Sequence, residues 1–422
     1  MITRLEISGF KSFTDFAVDF APLTVIAGAN ASGKSNLLDA LRLVRGLAQQ
    51  GFFGPVVARS GSLDDLFTKY GVEDSADKIK IAVEIKLAST FLGPKFVLDY
   101  TDFRYEVEIA FHDNNEPFYY YEIDVERFYA RDENSRLISM NLPDKNLLEK
   151  EESLYNQSTP NLATTSISEV NRADNIHLFA CQQSLRNIIS TDLIDPNNFS
   201  DYAPTRKIME PEGVLANLIR YQISEPKKFQ YLSRRVRRII PELAAIDIYT
   251  DPFSRTTLTA TDTDGRLFMM TSLSEGSLRI IALASYLLNS NSDRTLLLEE
   301  PENGIDPRVI NEVMQLLVDL STPVAGDKET TRQVICTTHS PLVLHAALNL
   351  PDRDQVTVLL ANKVSYITTI DEKRYSLKTT RMNPIGDREE VERDGTPLER
   401  YTLREAVDYL SRLPADQIAD DV

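Results

Sequence analysis

Apolar and polar residues alternate one by one over residues 2–8 (ITRLEIS) and 14–20 (TDFAVDF), the period of half-buried strands. Pro22 then interrupts the chain. Leu23 to Ala27 (LTVIA) is a short apolar run suited to a buried strand. From Ser35 to Leu47 the apolar positions Leu37, Leu38, Leu41, Val44 and Leu47 fall on one face of a helix. Residues 51–75 carry GFFGP and a short apolar stretch from Leu63 to Tyr70, which predict a loop and a short helix. From 78 to 130 the runs KIKIAVEIKLA, KFVLDYTDFRYEVEIAFH and PFYYYEIDVERFYA predict an antiparallel meander, broken at Gly93-Pro94 and at Asp113-Asn114-Asn115. Its aromatic string Phe118 to Tyr121 reads as an ordinary strand face rather than a base-stacking platform.

Residues 132–170 are rich in Asn, Ser, Thr and Glu and predict a loop or linker. Over 173–240, segments such as VLANLIRYQI and FQYLSRRVRRII have helical spacing, punctuated by Pro196, Pro204, Pro211 and Pro226. Strand signals return at 244–250 and 255–260, and Asp264-Gly265 predicts a hairpin turn into RLFMM. From Ser272, helical and strand patterns alternate through TLLLEE, DPRVINEVMQLLVDL, RQVICTTH, PLVLHAALNL and QVTVLLA. Such alternation predicts a mostly parallel sheet with covering helices. The tail from 372 is polar and ends in a predicted helix striped by Leu403, Val407, Leu410 and Leu413.

These patterns divide the chain into an N-terminal lobe (1–75), the meander (76–135), a linker with a helical insertion (136–243), a C-terminal lobe (244–371) and a polar tail (372–422). The fold class is α/β: a mostly parallel core sheet with an antiparallel β meander and a helical insertion.

Composition narrows the function. The 422 residues are 42% hydrophobic and 26% charged, as in soluble globular proteins. No apolar run approaches the roughly 20 residues that span a bilayer. MITRLEISGF lacks a signal-peptide pattern, so a cytoplasmic location and no membrane partner are expected. Cys181 and Cys336 are the only cysteines and read as core thiols rather than a disulfide. A net charge of −17 argues against whole-surface affinity for DNA. The cluster Arg234, Arg235, Arg237 and Arg238 is the densest basic group, read first as a solvated helix face with acidic neighbours. Asp262 and Asp264 form a D-x-D pair at the predicted hairpin tip, where turn chemistry explains both without a metal.

The candidate chemistry begins at Gly28–Ser35, GANASGKS, between the buried strand and the helix. Its glycines let several backbone N–H groups face one anion. Lys34 can reach the β- and γ-phosphates, the Ser35 hydroxyl can join Mg²⁺, and the helix N-terminus favours negative charge. TLLLEE is a buried strand ending in two carboxylates, at the end where open parallel sheets bind ligands. Glu299 can hold the Mg²⁺ water shell, and Glu300 can act as general base on the attacking water. His339, at the end of the next strand, can donate to a γ-phosphate, whereas His112, His177 and His345 read as structural. Ser274 and Gly276, at the start of a helix, form a second anion-binding surface, best explained if it serves another protomer's nucleotide.

The ordered set GANASGKS, LSEGS, LLLEEPENGIDP and TTHSP resembles the ABC-type ATPase heads of the SMC/RecF/OLD group, as do GFKSF and the Asn36 of GKSN. In particular it resembles compact AAA-family ATPases of bacterial phage-defence, abortive-infection systems, which act with a partner nuclease or effector. The resemblance covers residues 1–50 and 244–371. It implies a P-loop NTPase fold of ABC-ATPase type and a head-to-tail homodimer, or higher oligomer, around ATP and Mg²⁺. Gly28, Asn30, Ser32, Gly33, Lys34, Ser35 and Asn36 would bind nucleotide in cis. Ser274 and Gly276 would cap the other protomer's γ-phosphate, Asp306 would communicate across the dimer, and His339 would be the switch histidine. Glu275 stands where many relatives have Gly, and Glu299 where they have Asp. Gln182 and Gln183 are the candidates for the glutamine loop.

The function expected is an ATP-hydrolysing molecular switch controlling a protein effector, a nuclease or toxin, in anti-phage defence. The alternative is a RecF-like repair ATPase that binds DNA. A transporter subunit and a self-contained nuclease fit less well, because no membrane element and no further acid cluster stands out.

Overall fold

The computed structural model describes residues 1–49, 64–71, 74–112, 120–142, 165–173, 175–190, 214–252, 256–269, 272–288, 294–321, 332–351, 355–370, 372–386, 392–393, 396–397 and 400–411. Two sheets dominate. The first begins with β1 (Ile2–Ser8) and β2 (Phe16–Asp19). The second begins with β3 (Leu23–Gly28), which leads into helix α1 (Lys34–Leu47).

The predicted meander is present as β4 (Lys78–Lys86), β5 (Asp102–His112), β6 (Tyr120–Arg131) and β7 (Leu137–Met140). It does not stand alone. β1 pairs on one side with β2 and on the other with β4, giving one antiparallel six-stranded sheet ordered β2-β1-β4-β5-β6-β7. Between α1 and β4 the short element is a single 3₁₀ turn, Asp64–Leu66. Residues 51–63 and the aromatics Phe118 and Tyr119 lie outside the described residues.

The segment after the linker holds α2 (Ser166–Glu169), α3 (Ile176–Arg186), the strand β8 (Ile188–Ser190), α4 (Val214–Ser224) and α5 (Pro226–Ile239). The helical expectation for 173–240 is corrected at β8, whose three residues are too few to show an alternation. A small three-stranded sheet follows: β9 (Leu243–Thr250), β10 (Thr256–Asp262) and β11 (Leu267–Met269). The Asp264-Gly265 turn is a hairpin. Asp262 Oδ1 accepts from the backbone N–H of Asp264 (3.0 Å) and of Arg266 (2.8 Å), which occupies the D-x-D pair as turn chemistry.

The predicted alternation then appears: α6 (Glu275–Ser285), β12 (Thr295–Glu299), α7 (Ile310–Ser321), β13 (Gln333–Thr338), α8 (Pro341–Leu348) and β14 (Val356–Ile370). The described part of the polar tail also holds a strand. Its first part is β15 (Lys373–Pro384), antiparallel to β14, and α9 (Leu403–Ser411) ends the described chain; Leu413 lies beyond it. Sequence missed β15 because it is an edge strand with polar inward residues. Thr379 and Thr380 are buried, and both hydrogen-bond to backbone.

The core sheet runs β15-β14-β3-β13-β12-β8, parallel except at the β15 edge. Alternate side chains of its strands face two cores, as the pleat requires. Ile26, Leu297, Ile335 and Leu359 join α1 and the antiparallel sheet. Val25, Leu296, Leu298, Cys336 and Leu360 join α4 to α8. Leu37, Leu38, Leu41, Val44 and Leu47 of α1 are fully buried, each contributing about 1.5–3 kcal/mol relative to exposure. Cys181 and Cys336 are both buried and free, and burial raises both thiols' pKa values. No helix among the described residues is long and apolar enough to cross a membrane.

Candidate active site

The loop from Gly28 to Gly33 is shaped by what stands behind it. Gly33 precedes α1 at φ +101°, and a Cβ there would lie 2.1 Å from Thr380 Oγ1. A Cβ on Gly28 would meet Ser32 Oγ at 2.6 Å and the Ala361 carbonyl at 2.8 Å. Only glycine fits at either position. Thr380 Oγ1 donates to the Ser32 carbonyl (3.1 Å) and lies 2.7 Å from Ser12 Oγ, while Asn36 Nδ2 donates to that same Ser12 Oγ (2.8 Å). The Thr380 hydroxyl has one proton, so Ser12 donates to Thr380. The GFKSF segment, the edge strand and α1 are thereby tied together behind the loop. Asn36 faces this support.

Lys34 is 7% exposed, and its Nζ donates to the Gly28 (2.7 Å) and Ala29 (2.8 Å) carbonyls. Burial lowers its pKa, while the charges of Glu300 and Glu302 oppose that shift. Ser32 Oγ is buried without a partner among the described residues. Asn30 and Ser35 are exposed. A polyphosphate suits this cradle: a strained glycine turn, an unpaired hydroxyl and a lysine held at the mouth.

β3, β13 and β12 are parallel neighbours, so their carboxyl ends meet at one edge. Glu299 Oε1 receives Arg42 Nη2 at 2.8 Å; Arg42 also pairs with Asp39 (2.7 Å), and Asp39 with Lys11 (2.6 Å). Arg42 Nη2 further donates to Ser190 Oγ on β8 (2.7 Å). Glu300 follows at φ +46°, uncommon for a residue with a side chain. Its Oε1 lies 2.8 Å from His339 Nδ1, so the two ends predicted to cooperate are in contact. Glu302 is a third acid here. Thr338 Oγ1 donates to its Oε1, its Oε2 is buried without a partner among the described residues, and burial raises its pKa.

Ser274 and Gly276 lie elsewhere. They line a separate cavity of about 410 Å³ with Ile239, Pro241, Gly304, Asp306 and Arg308. Ser274 Oγ caps α6 by accepting from the Ser277 N–H (3.2 Å). A Cβ on Gly276 would stand 2.1 Å from the Gly304 carbonyl, so the two loops meet backbone to backbone. Asp306 is ion-paired with Arg308, whose bonds hold its carboxyl down at about 2.

Gln182 is corrected. It is 1% exposed, and its Nε2 donates to the Ile167 (2.7 Å) and Ser168 (3.1 Å) carbonyls, a structural task in the body of the fold. Gln183 Nε2 donates to Gln182 Oε1 (3.0 Å). His177 packs on Tyr100 and Phe103, and burial lowers its pKa. Sequence reasoning missed Thr380, Arg42 and Glu302. Only Glu302, in EEPE, carried a visible signal. For Mg²⁺, Ser35 and Glu299 offer a hydroxyl and a carboxylate, the sparse set of a cation held mainly by phosphate and water. Among the described residues no cluster of three or more His, Cys, Asp or Glu is arranged around a metal position.

This fold and site define a P-loop ATPase head of the ABC and SMC kind. Residues 23–345 match the family described as "AAA domain, putative AbiEii toxin, Type IV TA system", and the chain belongs to that family. It is 59% identical over 47 residues to the chromosome partition protein Smc of Lactiplantibacillus plantarum. It is 49% identical over 47 residues to that of Halothermothrix orenii. Each match covers 11% of this chain and 4% of the longer Smc protein. Among solved structures, an Smc head bound to the C-terminal winged-helix domain of ScpA superposes with a TM-score of 0.50 at 16% identity. It covers 90% of this chain and 98% of that one.

Proposed function

We propose that this ATPase is a molecular switch that closes head to tail around ATP and controls a partner effector, a nuclease or toxin, in bacterial anti-phage defence. The observation that carries the dimer is the separation of the signature from the phosphate loop. Ser274, Gly276 and Asp306 line a cavity of their own, with no residue of the phosphate loop in its wall. A second protomer's nucleotide would give that surface its ligand. The effector reading is supported by the family's toxin–antitoxin description and the abortive-infection resemblance.

In this reading the loop N–H groups and Lys34 hold the phosphates. Ser35 and Glu299 are the residues that would hold Mg²⁺, whose charge would offset that of the phosphates. Glu300 accepts a proton from the attacking water, oriented by its contact with His339. The test is the mass in solution of Glu300→Gln with and without ATP and Mg²⁺, repeated with duplex DNA. An ATP-dependent dimer indifferent to DNA is expected. A monomer under all conditions would overturn the dimer.

One observation favours the RecF-like reading. Lys227, Arg234, Arg237 and Arg238 lie with Tyr231 along the exposed face of α5, opposite buried Phe229, Leu232, Val236 and Ile239. Arg235 pairs with Asp319, whereas none of those four cations has an ion-pair partner among the described residues. Salt-sensitive retention of DNA by the Glu300→Gln dimer, lost when Arg234 and Arg238 become Glu, would establish this second reading.

A further inference from the structure

Two contacts fasten the start of α6 to the turn that carries Glu300. Arg279 Nη1 donates to the Glu300 carbonyl (3.2 Å), and Nη2 of the same guanidinium donates to Glu275 Oε1 (3.1 Å). One helical turn earlier, Gly276 touches Gly304 at the far end of that turn. Glu300 holds an unfavourable backbone conformation, which persists only where surrounding contacts impose it. Its own N–H is held by the Thr337 carbonyl (2.9 Å), its carboxylate by His339, and its carbonyl by Arg279.

Glu275 is the residue where the signature departs from glycine. Its side chain is 68% exposed, between Ser274 and Gly276, and it shares one guanidinium with the Glu300 carbonyl, each partner on its own nitrogen. We propose that Arg279 is a positioning residue for Glu300, and that Glu275 regulates its hold, linking anion docking at the start of α6 to the general base of the same protomer. The inference rests on the head-to-tail reading. A polyphosphate arriving beside Glu275 repels its carboxylate, since like charges at contact range oppose each other even near a surface. Arg279, released on that side, turns its charge-assisted bond wholly toward Glu300. The partner's nucleotide thus prepares the base that hydrolyses this protomer's own, and the two sites act together.

The test is steady-state ATP hydrolysis by the full chain at varied ATP and protein concentrations, with nucleotide affinity measured separately by fluorescent-ATP titration. Wild type should show sigmoidal dependence on ATP and turnover that rises with protein concentration. Arg279→Ala should lose about tenfold to a hundredfold in kcat, as expected for one lost charge-assisted hydrogen bond, with ATP affinity unchanged. Arg279→Lys, a point charge unable to bridge both partners, should recover part of the rate without the sigmoidal response. Exposed Glu275→Gln should fold normally, raise turnover at low ATP and make the response hyperbolic. Wild-type kcat in Arg279→Ala, or a wild-type sigmoidal response in Glu275→Gln, would overturn the proposal. Failure of the dimer reading shows itself differently: wild type would stay monomeric with ATP, and its turnover would ignore protein concentration.

Discussion

His339 Nδ1 and Glu300 Oε1 stand 2.8 Å apart, across the carboxyl ends of two neighbouring parallel strands. An ionised carboxylate has no proton to give, so the imidazole donates from Nδ1. In the neutral ring Nε2 then has no proton for a phosphate, and only the imidazolium can serve both partners. His339 is therefore first an orienter of the carboxylate. His339→Gln takes the imidazole from beside the general base and should lower single-turnover hydrolysis about a hundredfold, the lower end of what a general base contributes, and leave ATP binding intact. Retention of the wild-type rate would remove His339 from the chemistry.

Thr380 acts on the phosphate loop from an edge strand 348 residues away in sequence from Ser32. Thr380→Val keeps the shape but strands the Ser32 carbonyl and leaves the Ser12 hydroxyl proton without its Thr380 acceptor. Leaving buried polar groups unpaired costs about 1–3 kcal/mol, much of it borne by the loop. ATP affinity should fall roughly tenfold or more in calorimetric titration. Thr380→Ser restores the hydroxyl and should bind as wild type does.

Arg42 gathers two carboxylates and a hydroxyl at 6% side-chain exposure. Arg42→Met leaves Asp39 and Glu299 without their shared cation, and breaking such a buried pair costs about 3–5 kcal/mol. Glu299 is partly exposed, so the loss in urea unfolding should fall at the lower end. Adding Asp39→Asn should recover part of it, because residues of one network do not add independently.

The chemistry was legible where backbone geometry demands a local signature. The phosphate loop needs Gly28, Gly33 and Lys34 at fixed spacing beside a buried strand, and TLLLEE and TTHS place acids and a histidine at strand ends. What escaped has no local signature. Thr380, Arg42 and Arg279 derive their roles from contacts made only after the sheet forms. β8 is too short to alternate, and β15 turns threonines inward because the loops behind the site supply their partners. The stripe on α5 was legible as charge, but only the fold separates Arg235, paired with Asp319, from its exposed neighbours.

Glu302 makes the site sensitive to acid in an unusual direction. Burial is the largest influence on its carboxyl and raises its pKa, against the lowering effect of the Thr338 hydroxyl; Glu300's charge raises it further. The folded protein therefore holds the Glu302 proton at higher pH than the unfolded chain does. Where the native state binds more protons, stability falls as pH rises, so this group's contribution is fully present below the ordinary carboxylate range and is lost as pH climbs through the raised value. Above that raised value the ionised Glu302 is a burden on the fold. Glu302→Gln keeps an oxygen for Thr338 and removes the charge. Its melting temperature should exceed that of wild type at pH 7, and the gap should close toward pH 4. A gap that is constant between these pH values, or a less stable variant at pH 7, would show that Glu302 is stabilised as a carboxylate by its surroundings.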